Sequence, residues 1–166
     1  MRVAAARAVV VATALGVLAT AGTAAGDRIV PGRAIGPISL GDERAAIAAR
    51  YGDGEVARRT PNPSAPGNRN LDAVVVRYPA LSLVARFPTD EASSGVTRLS
   101  TRNPRYRTAA GVGVGSTRSA VRAAHPAAVC TAAVCQVRRG GAGRAVTRYA
   151  LAPRVVRVEV LRVSAR

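Results

Sequence analysis

The sequence predicts an α+β protein of two tandem repeats, each a short helix packed on a roughly four-stranded antiparallel sheet. A glycine turn followed by a short amphipathic helix occurs at 36–52 and again, in weaker form, at 110–126. After each helix the chain carries short segments in which apolar and polar residues alternate between turn residues, a pattern typical of antiparallel strands. Recurrence of one pattern along a chain indicates a repeated module.

Residues 1–25 are predicted to be a cleaved secretion signal. Arg2 and Arg7 supply the positive start, an uncharged apolar run covers 8–18, and small residues up to Ala25 favour cleavage after it. An uncleaved membrane anchor is the alternative, but the second half of the run is too rich in Ala, Gly and Thr to insert well. No cysteine lies near the cut, so we expect a secreted or extracytoplasmic protein without a lipid anchor.

The first module is predicted to span 28–103 and to begin with its helix. Asp42 is the expected N-cap, Ile47 and Tyr51 share the buried face, and Gly52 ends the helix. Strands are then predicted at 55–59, 71–78, 81–87 and 96–101.

The second module is predicted to span 105–166. Aligning Gly115 with Gly41 places Ser116 at the cap position and Val121 on the buried face of a second helix. Strands are then predicted at 127–130, 134–137, 145–151 and 155–163.

The two cysteines, Cys130 and Cys135, are predicted to form a disulfide across a tight hairpin. An even pair in a secreted chain favours a disulfide. A redox-active pair is less favoured because four residues separate the cysteines, where two are usual. Metal binding is less favoured because the chain has one histidine.

No residue pattern points to catalysis, and we expect neither an enzyme nor a cofactor. His125 could act as a general base, but a histidine at a helix C-terminus is the simpler interpretation. Asp53 and Glu55 could form an acid/base or metal pair, but they follow a helix end, where turn chemistry is usual. The segment Gly111–Gly115 has the spacing G-x-G-x-G, which is not the dinucleotide-binding fingerprint.

The 25 basic residues are all arginine and give a formal net charge of +16 against nine acidic residues. Because the arginines are scattered, we favour compositional bias on a solvated surface over binding of an anionic polymer. The densest pairs, at 58–59 and 138–139, lack the flanking aromatic residues that stack on nucleic-acid bases. Polymer binding would be favoured if the arginine side chains gathered on one face of the strands. The arginines that could form such a face are Arg77, Arg86, Arg98, Arg148, Arg157 and Arg162.

The glycine-turn and helix pattern resembles the module of β-lactamase inhibitory protein and of related small outer-membrane assembly lipoproteins. The residues that carry the resemblance are Ile35, Gly36, Ile38, Leu40, Gly41, Ile47, Tyr51 and Gly52, with Gly115, Ser116 and Val121 in the second copy. The resemblance implies a helical segment packed on an antiparallel sheet, two such modules in tandem, and binding through a concave sheet face. The resemblance does not assign a binding role to any residue of this chain.

We therefore expect a secreted, non-catalytic binding protein whose partner is a protein or a cell-envelope component. The solvent-facing side of the sheets is the expected binding surface. The alternative is a basic protein that associates electrostatically with an anionic polymer, either a cell-wall polyanion or nucleic acid. Neither alternative requires a small-molecule cofactor or a membrane span in the mature chain.

Overall fold

The computed structural model describes residues 27–64, 66–69, 72–139 and 145–163. The predicted secretion signal lies outside these residues. Within them the chain has two α-helices, an eight-stranded antiparallel sheet and a small three-stranded sheet, which confirms the predicted α+β class. The predicted four-stranded sheets are instead parts of this single eight-stranded sheet.

The helices and strands are all short. The small sheet contains β1 (Ile29–Val30), β2 (Ala34–Ile35) and β3 (Ile38–Ser39), and the helices are α1 (Arg44–Tyr51) and α2 (Arg118–Ala124). The first four strands of the large sheet are β4 (Glu55–Thr60), β5 (Ala73–Tyr78), β6 (Leu83–Phe87) and β7 (Arg98–Thr101). The last four are β8 (Val129–Cys130), β9 (Val134–Arg139), β10 (Ala145–Leu151) and β11 (Val155–Arg162).

The large sheet is continuous through both halves of the chain. Its strand order is β4-β5-β6-β7-β11-β10-β9-β8, and all neighbours are antiparallel. Two four-stranded sets therefore meet where β7 pairs with β11, with Leu99 opposite Val160. The pairing removes two strand edges that separate four-stranded sheets would leave open.

The hydrophobic core lies on one face of the large sheet. Alternate residues of each inner strand are buried there, and Ile47 of α1, Val121 of α2 and Ile35 of the small sheet pack against them. The main strand contributions are Val74, Val76, Tyr78, Leu83, Ala85, Phe87, Leu99, Tyr149, Val158 and Val160. We call the opposite side of the large sheet the open face.

The predicted cap of α1 is wrong by one residue. The N-cap is Glu43, which makes no side-chain cap hydrogen bond. Asp42 instead uses Oδ2 to accept a hydrogen bond from the Ser39 amide at 2.8 Å. The carbonyls of Ala92 and Ser94 accept from the first amides of α1, so a neighbouring loop supplies the cap.

The predicted cap of α2 is also wrong by one residue, but α2 is capped by its own side chain. Its N-cap is Thr117, whose hydroxyl accepts from the Ala120 amide at 3.1 Å, rather than the predicted Ser116. Ser116 Oγ accepts from the Gly113 amide at 3.1 Å. Ser116 and Asp42 thus stabilise equivalent turns immediately before the two helices.

Candidate functional site: an arginine-rich sheet face

Seven arginines project from the open face of the large sheet. In each inner strand apolar residues at alternate positions enter the core, so the intervening arginines must point to the other side. The strand registers place these seven residues on one face: Arg58, Arg77, Arg86, Arg98, Arg138, Arg148 and Arg157. We call this set the arginine face.

One row of residues crosses the sheet at right angles to the strands. It runs from Arg58 through Val75 to Arg86 and then to Arg98, each opposite the next in register. Neighbouring strands lie about 4.8 Å apart, so Arg58 and Arg86 are separated by about 10 Å at the backbone. The row continues through buried Leu161 and Val146 and ends at Arg138.

Two shallow clefts lie side by side on the arginine face. Their volumes are about 420 and 670 Å³, and they share Arg58, Val75, Val84 and Ser100. The smaller cleft is also lined by Thr60, Arg86, Arg98 and Glu159. The larger is also lined by Ala57, Arg77, Ser82, Thr101, Arg102 and Arg157. Each cleft therefore has an apolar valine floor and a cationic rim.

Few carboxylates accompany these arginines. Glu159 lies with its Oε1 3.1 Å from Nε of Arg157, and Glu55 lies opposite Arg77 at the outer strand. The Nε atom of Arg148 is buried and has no hydrogen-bond partner among the described residues. Excess positive charge above a low-dielectric floor attracts anions more strongly than the same charge in open solvent.

Other carboxylates pair away from the arginine face. Asp90 accepts from both Arg44 and Arg59, which ties the loop before β7 to α1 and β4. Asp27 pairs with Arg105 at 3.0 Å on the exposed surface. These ion pairs use two of the carboxylates away from the open face, which itself carries seven arginines and two glutamates.

Of the six arginines that the sequence proposed for one strand face, five lie on the arginine face, and Arg162 does not. Arg162 pairs with Ala145 in register and lies on the helix side, where its guanidinium approaches Gly41. Residues 157 and 162 differ by an odd number of positions, so alternation along one strand places them on opposite faces. The strand registers also place Arg58 and Arg138, from the charged pairs at 58–59 and 138–139, on the open face.

Aromatic side chains are confined to the helix side of the sheet. Tyr78, Phe87, Tyr106 and Tyr149 belong to the core, and Tyr51 packs against it. The arginine face therefore offers no ring on which a nucleic-acid base could stack.

The predicted disulfide is confirmed. Cys130 and Cys135 are bonded, and they lie directly opposite each other where β8 pairs with β9. Cys135 is buried on the core side beside Tyr149. The bond thus closes the hairpin at the β8 edge of the large sheet and lies on the face opposite the arginines.

His125 ends α2, as predicted, and packs on the core. Its Nε2 lies 3.2 Å from the Tyr149 hydroxyl, and the two rings are stacked with centroids 5.9 Å apart. Burial lowers the pKa of His125, although a helix C-terminus by itself favours the charged form. Burial also raises the pKa of Tyr149 far above its ordinary value.

The remaining candidate groups do not assemble into a second cluster. Asp53 and Glu55 are both exposed, and Glu55 faces Arg77. In the described ranges, no group of three or more His, Cys, Asp or Glu residues could hold a metal ion. In the segment Gly111–Gly115, the amides of Gly111 and Gly113 are used in turns that lead into α2.

No family model, curated protein or solved structure matches the chain. Among the described helices, none has the length and apolar content needed to cross a membrane.

Proposed function

We propose that this is a non-catalytic binding protein of the cell exterior or envelope that binds an anionic polymer on its arginine face. The observation that carries the proposal is the placement of seven arginines on one sheet face with two glutamates among them. An anionic chain laid across the strands could contact several of these arginines at once. Arginine suits this task because its planar fork binds phosphate and carboxylate groups with two parallel hydrogen bonds.

Compositional bias alone accounts poorly for this arrangement. Bias explains why every basic residue is arginine, but it does not explain why seven of the arginines lie on one face of one sheet. The two clefts also gather charge above an apolar floor rather than dispersing it in solvent. A binding role explains both features.

A protein with an acidic surface is the second candidate partner. Val75 and Val84 favour it, because an apolar floor between cations resembles the mixed character of protein interfaces. The strongly exposed apolar residues do not extend this floor into a patch. They are Val56, Val129, Val156 and Val163, which lie on separate strands or strand ends. The absence of aromatic anchors from the arginine face further favours the polymer.

We propose that each half of the chain is one module, as in the inhibitory-protein fold that the sequence resembles. The equivalent turns at Asp42 and Ser116 support this, as do the two four-stranded sets that meet at β7 and β11. The disulfide and the predicted secretion signal together support an extracytoplasmic location, because disulfides persist in oxidising compartments.

The test measures binding of the mature chain to polyphosphate and to heparin at about 0.15 M ionic strength. A variant with Arg77→Gln, Arg138→Gln and Arg148→Gln removes three charges from the arginine face. We expect it to lose at least about tenfold in affinity, since each lost guanidinium contact removes a charge-assisted hydrogen bond. The affinity of the native chain should also fall steeply with rising salt.

The matched control removes three charges elsewhere. Arg33→Gln, Arg50→Gln and Arg122→Gln change exposed residues outside the arginine face and alter the net charge equally. Equal losses in the two triple variants would show that binding depends on net charge and not on this face. No binding to either polymer at this ionic strength would contradict the proposed function, and binding only to an acidic protein would favour the second candidate.

A further inference from the structure

Arg86 and Arg98 face each other directly across two neighbouring strands. They are register partners in the β6–β7 pair and point to the open face. Residues opposite each other in an antiparallel pair have Cβ atoms about 5 Å apart, and like charges at such positions destabilise the sheet. Such a pair is an unfavourable arrangement for the unbound protein.

No described carboxylate forms an ion pair with Arg86 or Arg98. Neither Arg86 nor Arg98 makes a side-chain hydrogen bond or ion pair within the described part of the chain. Glu159 lines the same cleft, but its carboxylate is paired with Arg157. Arg58 adds a third guanidinium to this cleft from the outer strand.

The chemistry of the cleft favours a tetrahedral oxyanion. A planar carboxylate has two oxygens, which match the fork of a single guanidinium. A phosphate group spreads its oxygens in three dimensions, so separate oxygens can accept from guanidinium groups on different strands. The hydroxyls of Thr60 and Ser100 line the same cleft and can donate to an oxygen that the arginines leave free.

We infer that the cleft lined by Arg58, Arg86 and Arg98 is a phosphate subsite, which holds one phosphate group of the polymer bound by the arginine face. The inference rests on the proposed function and adds that the polymer carries phosphate rather than carboxylate groups. The bound phosphate supplies the counter-charge that the Arg86–Arg98 pair lacks. The other arginines of the face then bind the rest of the chain.

The first experiment compares polyphosphate with polyglutamate of equal charge on the native chain and on Arg86→Gln and Arg98→Gln. Each substitution should weaken polyphosphate binding about tenfold and bring it close to polyglutamate binding. Arg122→Gln, an exposed arginine on α2, is the control and should change either affinity less than about twofold. Glu159→Gln should strengthen polyphosphate binding, because it removes a negative charge from the cleft wall.

A second measurement does not depend on the polymer. At low salt and without ligand, Arg86→Gln or Arg98→Gln should raise the thermal midpoint, because each removes a like-charge contact. Inorganic phosphate should raise the midpoint of the native chain more than that of either variant.

The outcomes separate the subsite from the wider proposal. If the native chain binds polyglutamate as well as polyphosphate, and both single variants behave like Arg122→Gln, the subsite is wrong while polymer binding stands. If neither polymer binds the native chain at about 0.15 M ionic strength, the proposed function itself fails, and the subsite with it.

Discussion

At the scale of single residues, the turn between α1 and β4 depends on the glycine at position 54. Gly54 has a φ of +71°, and a Cβ built on it would lie 2.6 Å from Cγ1 of Val76 and 2.7 Å from the carbonyl oxygen of Arg77. Backbone strain and a clash with β5 therefore act together at this position.

Gly54→Ala should lower the free energy of unfolding by about 3–5 kcal/mol, combining left-handed strain with overpacking. Gly111→Ala is the control, because Gly111 has a φ of +74°, close to that of Gly54, but open space where the Cβ would lie. It should cost only about 1–2 kcal/mol, from strain alone. Urea unfolding of both variants measures the difference, and equal losses would show that the contact with β5 is unimportant.

His125 makes folding stability depend on pH in a narrow window. Burial lowers its pKa in the folded chain, so the unfolded chain binds its proton at a higher pH. The free energy of unfolding should therefore fall as pH drops below about 6.5, the ordinary histidine value, until the folded form also takes the proton. Protonation also removes the Nε2 lone pair that can accept from the Tyr149 hydroxyl.

The measurement is denaturant unfolding between about pH 7 and pH 5, above the ordinary pKa values of the carboxylates. The chain has one histidine, so His125→Gln should flatten the curve in this window. A glutamine can still accept a hydrogen bond from the Tyr149 hydroxyl, so this variant loses the titrating group but can keep the contact. An unchanged slope in this variant would assign the pH dependence to another group.

At the scale of elements, strands were easier to predict than helix ends. Alternation of apolar and polar residues predicted 145–151 as β10 with the observed bounds, because that pattern is local and one face is buried. The cap of α1 was missed because its partners, the carbonyls of Ala92 and Ser94, lie more than 40 positions further along the chain. The strands of the small sheet have two residues each, which is too few for the alternation of apolar and polar residues to be recognised.

The arginine face was predictable in part for the same reason. Alternation within β5, β6 and β7 assigns Arg77, Arg86 and Arg98 to the side opposite the core. Alternation does not give the register between strands, so the sequence could not show that Arg86 lies opposite Arg98. The proposed phosphate subsite depends on that register and became visible only in the folded chain.

At the scale of the whole molecule, the pairing of β7 with β11 makes two halves into one sheet. Leu99 is fully buried at this junction, opposite Ala85 on one side and Val160 on the other. The core on the helix side is likewise one cluster, with Ile47 and Val121 from the two halves. Nothing local in the sequence specifies this pairing, because it joins strands more than 50 residues apart.

A continuous core predicts that the two halves lose stability together. Leu99→Ala should reduce the free energy of unfolding by about 2–5 kcal/mol, the usual cost of truncating a buried leucine. Because the cavity lies at the junction, amide exchange in β5 and β10 should accelerate to a similar degree. Hydrogen exchange followed by mass spectrometry measures both strands in the same sample.

The control for this comparison is Val129→Ala, which truncates a side chain that is 69% exposed on the edge strand β8. It should leave exchange in both halves nearly unchanged. Faster exchange confined to β5 and its neighbours in Leu99→Ala would show that the halves unfold independently. The arginine face would then not be held as one rigid surface, since Arg58, Arg86 and Arg98 come from the first half and Arg138 and Arg148 from the second. Coupled exchange would mean that one cooperative sheet fixes the spacing of all of these charges.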